Sequence, residues 1–126
     1  MEWKYDDSLP IYTQLVEQMK RAIVSGAIAP GERLAAVREM AMEAGVNPNT
    51  MQRALQELER CGLVYAMRSS GRYVTDEVSV IDAARDKLAE ETIFGFIENM
   101  SRLGFSREES IRKIREHEEV NNDDNI

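Results

Sequence analysis

Apolar residues recur at helical spacing over residues 11–25, at Tyr12, Leu15, Val16, Met19, Ala22 and Ile23, and predict a first amphipathic helix. Pro10 suits its first turn, where a missing N–H costs nothing, and Gly26 suits its end. Pro30-Gly31 marks a turn. A second, shorter helix carries Val37, Met40, Ala41 and Ala44 on one face and stops at Gly45. The third starts with Asn47 as N-cap and Pro48 at its first position, and buries Met51, Ala54, Leu55 and Leu58 before Gly62. The spacing then changes. Leu63–Met67 and Arg72–Thr75 read as short strands joined by Arg68-Ser69-Ser70-Gly71.

Thr75-Asp76-Glu77 reads as a hinge. A long helix follows from Val80 to Leu103, with a wide apolar stripe of Ile81, Ala84, Leu88, Ala89, Thr92, Ile93, Phe96, Ile97, Met100 and Leu103. Gly104 breaks it. Ser106 and Glu109 have the spacing of a capping box and start a last helix through about Glu118, whose apolar face is little more than Ile111 and Ile114. The polar tail from Asn121 to Ile126 is expected to be disordered. The predicted fold is mainly α with a small β-hairpin. A winged helix-turn-helix domain occupies 1–77, a two-helix dimerisation module 78–120, and the tail 121–126.

With 126 residues, 43% hydrophobic and 31% charged, the chain has the composition of a globular protein. No run has the length and apolarity to span a bilayer, and the start, MEWKYDDSLP, lacks the apolar core of a secretory signal. A lone cysteine, Cys61, makes no internal disulfide and fits a reducing cytoplasm, where it reads as a small core residue. The net charge of −7 would argue against a polyanionic partner, but its distribution reverses that. From Arg33 to Arg72 there are six basic and four acidic residues, so this stretch is net positive and the rest of the chain carries −9. A local positive surface is what nucleic acid requires.

The winged shape places its third helix in a DNA groove. With Met51, Ala54, Leu55 and Leu58 turned inward, Asn49, Gln52, Arg53 and Gln56 form one outward strip. Asn and Gln amides match the adenine edge in the major groove and arginine matches guanine. Helix-turn-helix readers use mainly the N-terminal turns, which favours Asn49, Gln52 and Arg53, with Asn47 beside them at the cap. Arg38, near the start of the second helix, points toward the same groove. Thr50 suits a phosphate at the helix N-terminus. At the hairpin tip Arg68, Ser69 and Arg72 suit the minor groove or flanking phosphates.

Pro10-Ile11-Tyr12-Thr13-Gln14-Leu15, Gly26 to Leu34, Val37-Arg38-Glu39, Gly45-Val46-Asn47-Pro48-Asn49-Thr50, Ala54-Leu55, Leu58-Glu59 and Gly62-Leu63-Val64 resemble the N-terminal domain of GntR-family bacterial repressors. The resemblance covers residues 9–75, and the short two-helix C-terminal region resembles the YtrA subfamily, whose members often sit in operons for ABC transporters. It implies a base-contacting role for Arg38, base or backbone contacts for Asn49, Thr50 and Gln52, and a wing-tip role for Ser69. Three departures stand out. Leu34-Ala35-Ala36 replaces the family's Leu-Pro-Ser, removing the serine cap of the second helix. Ser69-Ser70-Gly71 replaces Gly-x-Gly in the wing, and Pro48 stands where many relatives have a base-reading arginine.

The stripe on the long helix is too wide for one thin helix to cover. A two-fold partner would cover it through Ile81, Leu88, Ile93, Phe96, Ile97, Met100 and Leu103, and would present two recognition helices to a palindromic operator. The expected function is thus a dimeric repressor that binds double-stranded DNA in the cytoplasm. Two rivals stand beside it: a winged-helix protein-interaction module, and a small-molecule-sensing adaptor without DNA reading. A small-molecule effector stays open, since Phe94, Phe96 and Met100 would line a pocket but no polar groups converge there to name one. His117, the single histidine, has no second histidine or nearby cysteine, so neither a metal nor another cofactor is expected. No nucleophile–base pair, phosphate loop or paired carboxylates support an enzyme, and no catalytic residue is assigned.

Overall fold

The computed structural model describes residues 1–124. Five helices and one hairpin follow in the order α1 (Ile11–Val24), α2 (Val37–Ala44), α3 (Pro48–Arg60), β1 (Val64–Met67), β2 (Gly71–Val74), α4 (Val78–Arg102) and α5 (Arg107–Asp124). The chain divides into two compact units, Met1–Asp86 and Lys87 onward, so the first two turns of α4 belong to the winged unit and the boundary falls beyond the one expected after residue 77.

The inward faces of α1 and α3 supply most of the first unit's core. Leu15, Met19, Ile23, Met51, Leu55, Leu58, Leu63 and Val74 are fully buried. Each such side chain contributes about 1.5–3 kcal/mol by leaving water. The expected caps form where the signal is local. Asn47 Oδ1 accepts from the Asn49 N–H at 2.8 Å, with Pro48 at the first helical position of α3. Gly45 ends α2 at φ 71°, in the left-handed region that favours glycine. At the other end of α2, Ala36 is the N-cap and makes no side-chain cap bond.

The hairpin is antiparallel, with Val64 opposite Val74 and Met67 opposite Gly71. It is widened by an extended segment that the hydrophobic pattern leaves unassigned. Gly31 N donates to Val74 O at 3.0 Å, Val74 N to Glu32 O at 2.9 Å, and Leu34 N to Arg72 O at 2.9 Å, while Arg33 bridges Tyr73. The N-terminal arm is also fastened. Gln14 and Gln18 lie one turn apart on α1 and each pairs its amide with the arm's backbone. Gln18 accepts from Lys4 N and donates to Lys4 O, and Gln14 does the same with Asp6. Between them Tyr5 reaches the opposite way and donates to Ala44 O at 2.7 Å, satisfying a carbonyl at the end of α2. Burial pushes the Tyr5 phenol up from its ordinary pKa.

Three expectations change. Thr75 is buried rather than hinge-like: its N–H donates to Leu63 O at 2.9 Å and its Oγ1 accepts from Glu77 N at 3.2 Å, fixing the start of α4. Ile81 is 5% exposed within the first unit, so its side chain is covered by its own chain and is withdrawn from the dimer stripe. The tail is helical through Asp124, because no glycine or proline after Gly104 interrupts α5; residues 125 and 126 lie outside the described residues.

In the second unit the capping box forms as expected. Glu109 N donates to Ser106 Oγ at 3.1 Å and Ser106 N to Glu109 Oε1 at 3.2 Å, and these bonds hold the Glu109 carboxyl below its ordinary pKa. Between α4 and α5 lies an apolar groove of about 530 Å³ lined chiefly by Ile93, Phe96, Ile97, Ile111 and Ile114, with Arg107 at its edge.

Candidate nucleic-acid interface

α2 and α3 pack on one another and leave the outer face of α3 to solvent. Asn49 is exposed and Gln52 half-buried, three residues apart on one strip, and Arg38 is exposed on the first turn of α2. Among the described residues, no hydrogen bond or ion pair holds the side chains of Arg38, Asn49 or Gln52. Thr50 is half-buried in the first turn of α3, where backbone N–H groups lack helical partners. The Arg38, Asn49, Thr50 and Gln52 side chains can donate to a base edge or a phosphate, and the amide and hydroxyl oxygens can accept from a base, without first breaking an internal contact.

Three other expected contacts are engaged within the protein. Asn47 gives its side-chain oxygen to the cap of α3. Arg53 is exposed but stacks on the Tyr12 ring of α1, its Cζ 4.6 Å from the ring centroid. Arg72 donates from Nε to Glu59 Oε1 at 2.5 Å, with both side chains partly buried. That pair ties β2 to the last turn of α3, so Arg72 is not the free wing cation expected from its position.

The wing tip retains Arg68 and Ser69, both exposed. Ser69 has φ 65°, the one non-glycine residue in the left-handed region among those described, which turns the chain sharply without the glycine of the family pattern. Ser70 Oγ and Tyr73 Oη hydrogen-bond at 2.5 Å, and Tyr73 stacks on Tyr65 with ring centroids 5.7 Å apart, bracing the hairpin from one side.

The charge pattern sharpens the picture. Of the six arginines from 33 to 72, Arg60 pairs with Glu57 and Arg72 with Glu59. Arg33, Arg38, Arg53 and Arg68 make no ion pair among the described residues. Sequence reasoning passed over Arg33, which is visible only once its segment is seen to lie beside the wing. Cys61 is half-buried at the end of α3, with Sγ 3.7 Å from Glu57 Oε1, rather than a core residue. Among the described residues no His, Cys, Asp or Glu cluster is arranged to hold a metal ion, and no helix is long and apolar enough to cross a membrane.

Residues 11–74 match the family described as bacterial regulatory proteins, gntR family. The chain is 37% identical to the uncharacterized HTH-type transcriptional regulator YhcF of Bacillus subtilis, over 91% of this chain and 95% of that protein. It is 42% identical to the HTH-type transcriptional repressor YtrA of the same organism, over 55% of this chain and 53% of YtrA. Among solved structures, a GntR family transcriptional regulator from Listeria monocytogenes superposes with a TM-score of 0.82 at 38% identity, covering 89% of this chain and 98% of that one. The DNA-binding domain of AraR in complex with its operator ORE1 superposes with a TM-score of 0.51 at 26% identity, over 60% of this chain and 94% of that one. These relatives are regulators, not enzymes, and the family match runs from α1 to β2. The chain therefore belongs to the gntR family of bacterial regulatory proteins, as a DNA-binding transcriptional regulator with a winged helix-turn-helix.

Proposed function

We propose that the protein is a cytoplasmic homodimeric repressor of the YtrA-like subfamily that binds a palindromic operator of a transporter-type operon. The likeness to YtrA, named as a repressor, supports the direction of regulation. The operator complex of AraR supports the mode of docking. The observation that carries the reading is the unengaged polar strip of Asn49 and Gln52, flanked by the unpaired Arg38.

In this reading Arg38, Asn49 and Gln52 read base edges, and Thr50, Arg68 and Ser69 hold phosphates or enter the minor groove. Asn47, Arg53 and Arg72, engaged inside the protein, position the readers. The second unit supplies the dimer contact through Leu88, Ile93, Phe96, Ile97, Met100 and Leu103. Apolar exposure supports this: Ile93 is 57% and Leu103 71% exposed in the single chain.

The test is selection of bound duplexes from random DNA by the full chain, followed by titration at rising salt. The expected product is a palindrome whose half-sites lie about 34–36 Å apart or a multiple of that distance, with affinity falling steeply as salt rises. A folded protein that ignores every duplex in dilute salt defeats the proposal. So does binding that is indifferent to salt, which belongs to an apolar docking module.

A further inference from the structure

The winged unit contains a cation that adds to the positive stretch but is not among the individual DNA contacts expected from the sequence. Arg33 sits in the extended segment 31–34 that adds to the edge of β2, bridging Tyr73. Its side chain runs along the hairpin to the turn: a Cβ built on Gly71 would lie 3.3 Å from Arg33 Nε and 3.5 Å from Nη2. Gly71 has φ +110°, a conformation that favours glycine, so the guanidinium lies against a bare backbone at the base of the tip. Arg33 is exposed and makes no ion pair among the described residues. The neighbouring cation on β2, Arg72, is neutralised by Glu59.

We propose that Arg33 is a phosphate ligand of the wing, its guanidinium laid against Gly71 beside the tip while Arg72 serves as a structural clamp to Glu59. This assignment rests on the DNA-binding reading above. A guanidinium is suited to the role because its planar fork donates two parallel hydrogen bonds to a phosphate and stays charged at any pH a protein tolerates. The packing against Gly71 restricts the side chain before DNA arrives, which reduces the conformational freedom lost on contact.

The experiment is a set of salt titrations of the full chain against one duplex recovered by selection and one of unrelated sequence, comparing the parent with Arg33→Gln, Arg33→Lys and Arg21→Gln. Each phosphate contact contributes about 0.9 to the slope of log affinity against log salt. Arg33→Gln is expected to lower the slope by about that amount per bound protomer. The penalty between about 50 and 200 mM salt then shrinks by about threefold per protomer. Affinity should fall to a similar extent for specific and unrelated duplexes, because phosphates carry no base identity. Arg33→Lys keeps the slope. Arg21→Gln, which removes an arginine on α1 paired with Glu17, keeps it as well and so separates local contact from net charge. A parent that binds DNA with a slope unchanged in Arg33→Gln overturns the assignment and leaves the DNA-binding reading intact. A parent that binds no duplex overturns both.

Discussion

Arg85 closes on the carbonyl oxygen of Val24, donating from Nε at 3.0 Å and from Nη2 at 2.8 Å, while Asp82 accepts from its Nη1 at 2.7 Å. Val24 is the last residue of α1, where carbonyls lack helical partners and the helix dipole favours a cation. The contact fastens the second turn of α4 to the first helix of the winged unit. Together with the burial of Ile81, it holds the start of α4 to that unit, which extends to Asp86.

Arg85→Ala should therefore destabilise the winged unit. Hydrogen bonds from a charged donor contribute about 1.5–3 kcal/mol, and the half-exposed guanidinium places the expected loss near the lower end, at about 1–2 kcal/mol. Urea unfolding followed by circular dichroism measures it. Arg85→Lys should recover only part of the loss, because one ammonium cannot reproduce the forked contact. An unfolding midpoint equal to the parent's in Arg85→Ala would show that the contact contributes nothing.

The sequence carried the local features and hid the long-range ones. The Asn47 cap, the Pro48 start, the Gly45 stop and the Ser106–Glu109 box each join residues two to four positions apart, so composition at fixed spacing reveals them. Arg72 with Glu59, Arg53 with Tyr12 and Arg85 with Val24 join different elements. A lone arginine looks the same in sequence whether it faces DNA, a carboxylate or a ring. The same limit hid the strand pairing of residues 31–34, whose apolar content is too small for a period-2 signal. Of the site, the strip on α3 was legible because helical geometry alone puts Asn49 and Gln52 on one face. The engagement of Arg53 and Arg72 was not.

Ala36→Ser should stabilise the protein. Ala36 occupies the N-cap of α2 with extended backbone (φ −62°, ψ 152°) and no side-chain cap bond. A serine hydroxyl there can accept from an otherwise unpartnered N–H in the first turn of α2, a gain of about 1 kcal/mol. The expected result is a higher denaturant midpoint with an unchanged m-value. A midpoint equal to or below the parent's would mean that water already serves those N–H groups as well.

Base reading should separate the unengaged residues from the engaged ones. Arg38→Ala and Gln52→Ala are each expected to relax discrimination at one base pair of the half-site by about 1–3 kcal/mol. Arg53→Ala should leave base preference in place and lower stability by about 0.5–1 kcal/mol, the loss of an exposed cation–π contact. Competition binding over single-base operator variants reads all three. Retained preference in both Arg38→Ala and Gln52→Ala would remove them as readers.

The Glu57–Arg60 pair predicts an acid-limb effect. Arg60 donates to both carboxylate oxygens and holds the Glu57 carboxyl down at about 2, against an ordinary 4.5. A carboxyl with a depressed folded pKa binds fewer protons in the native state than in the unfolded chain. Its contribution is therefore present in full above about 4.5 and is lost as pH falls toward about 2. Arg60→Ala should lose less stability than the parent across that window and behave like it in pH dependence above it. Thermal midpoints of the two proteins, taken at intervals through the window, give the comparison; parallel curves would show that the pair does not form in solution.

The proposed dimer contact is tested on the face of α4 that its own chain leaves open. Ile93 is 57% exposed, so Ile93→Asp removes no fully buried side chain from the single chain. In a two-fold interface the substitution acts in both copies, forfeiting about 1.5–3 kcal/mol of apolar burial from each and leaving two carboxylates without partners in a dry contact. Sedimentation of the variant should give monomers at concentrations where the parent is dimeric, with helical circular dichroism preserved. Operator affinity should fall with it, since two linked heads gain from the second binding event and separate heads do not. A variant that stays dimeric would place the contact elsewhere, and a parent that is monomeric throughout would remove the interface altogether.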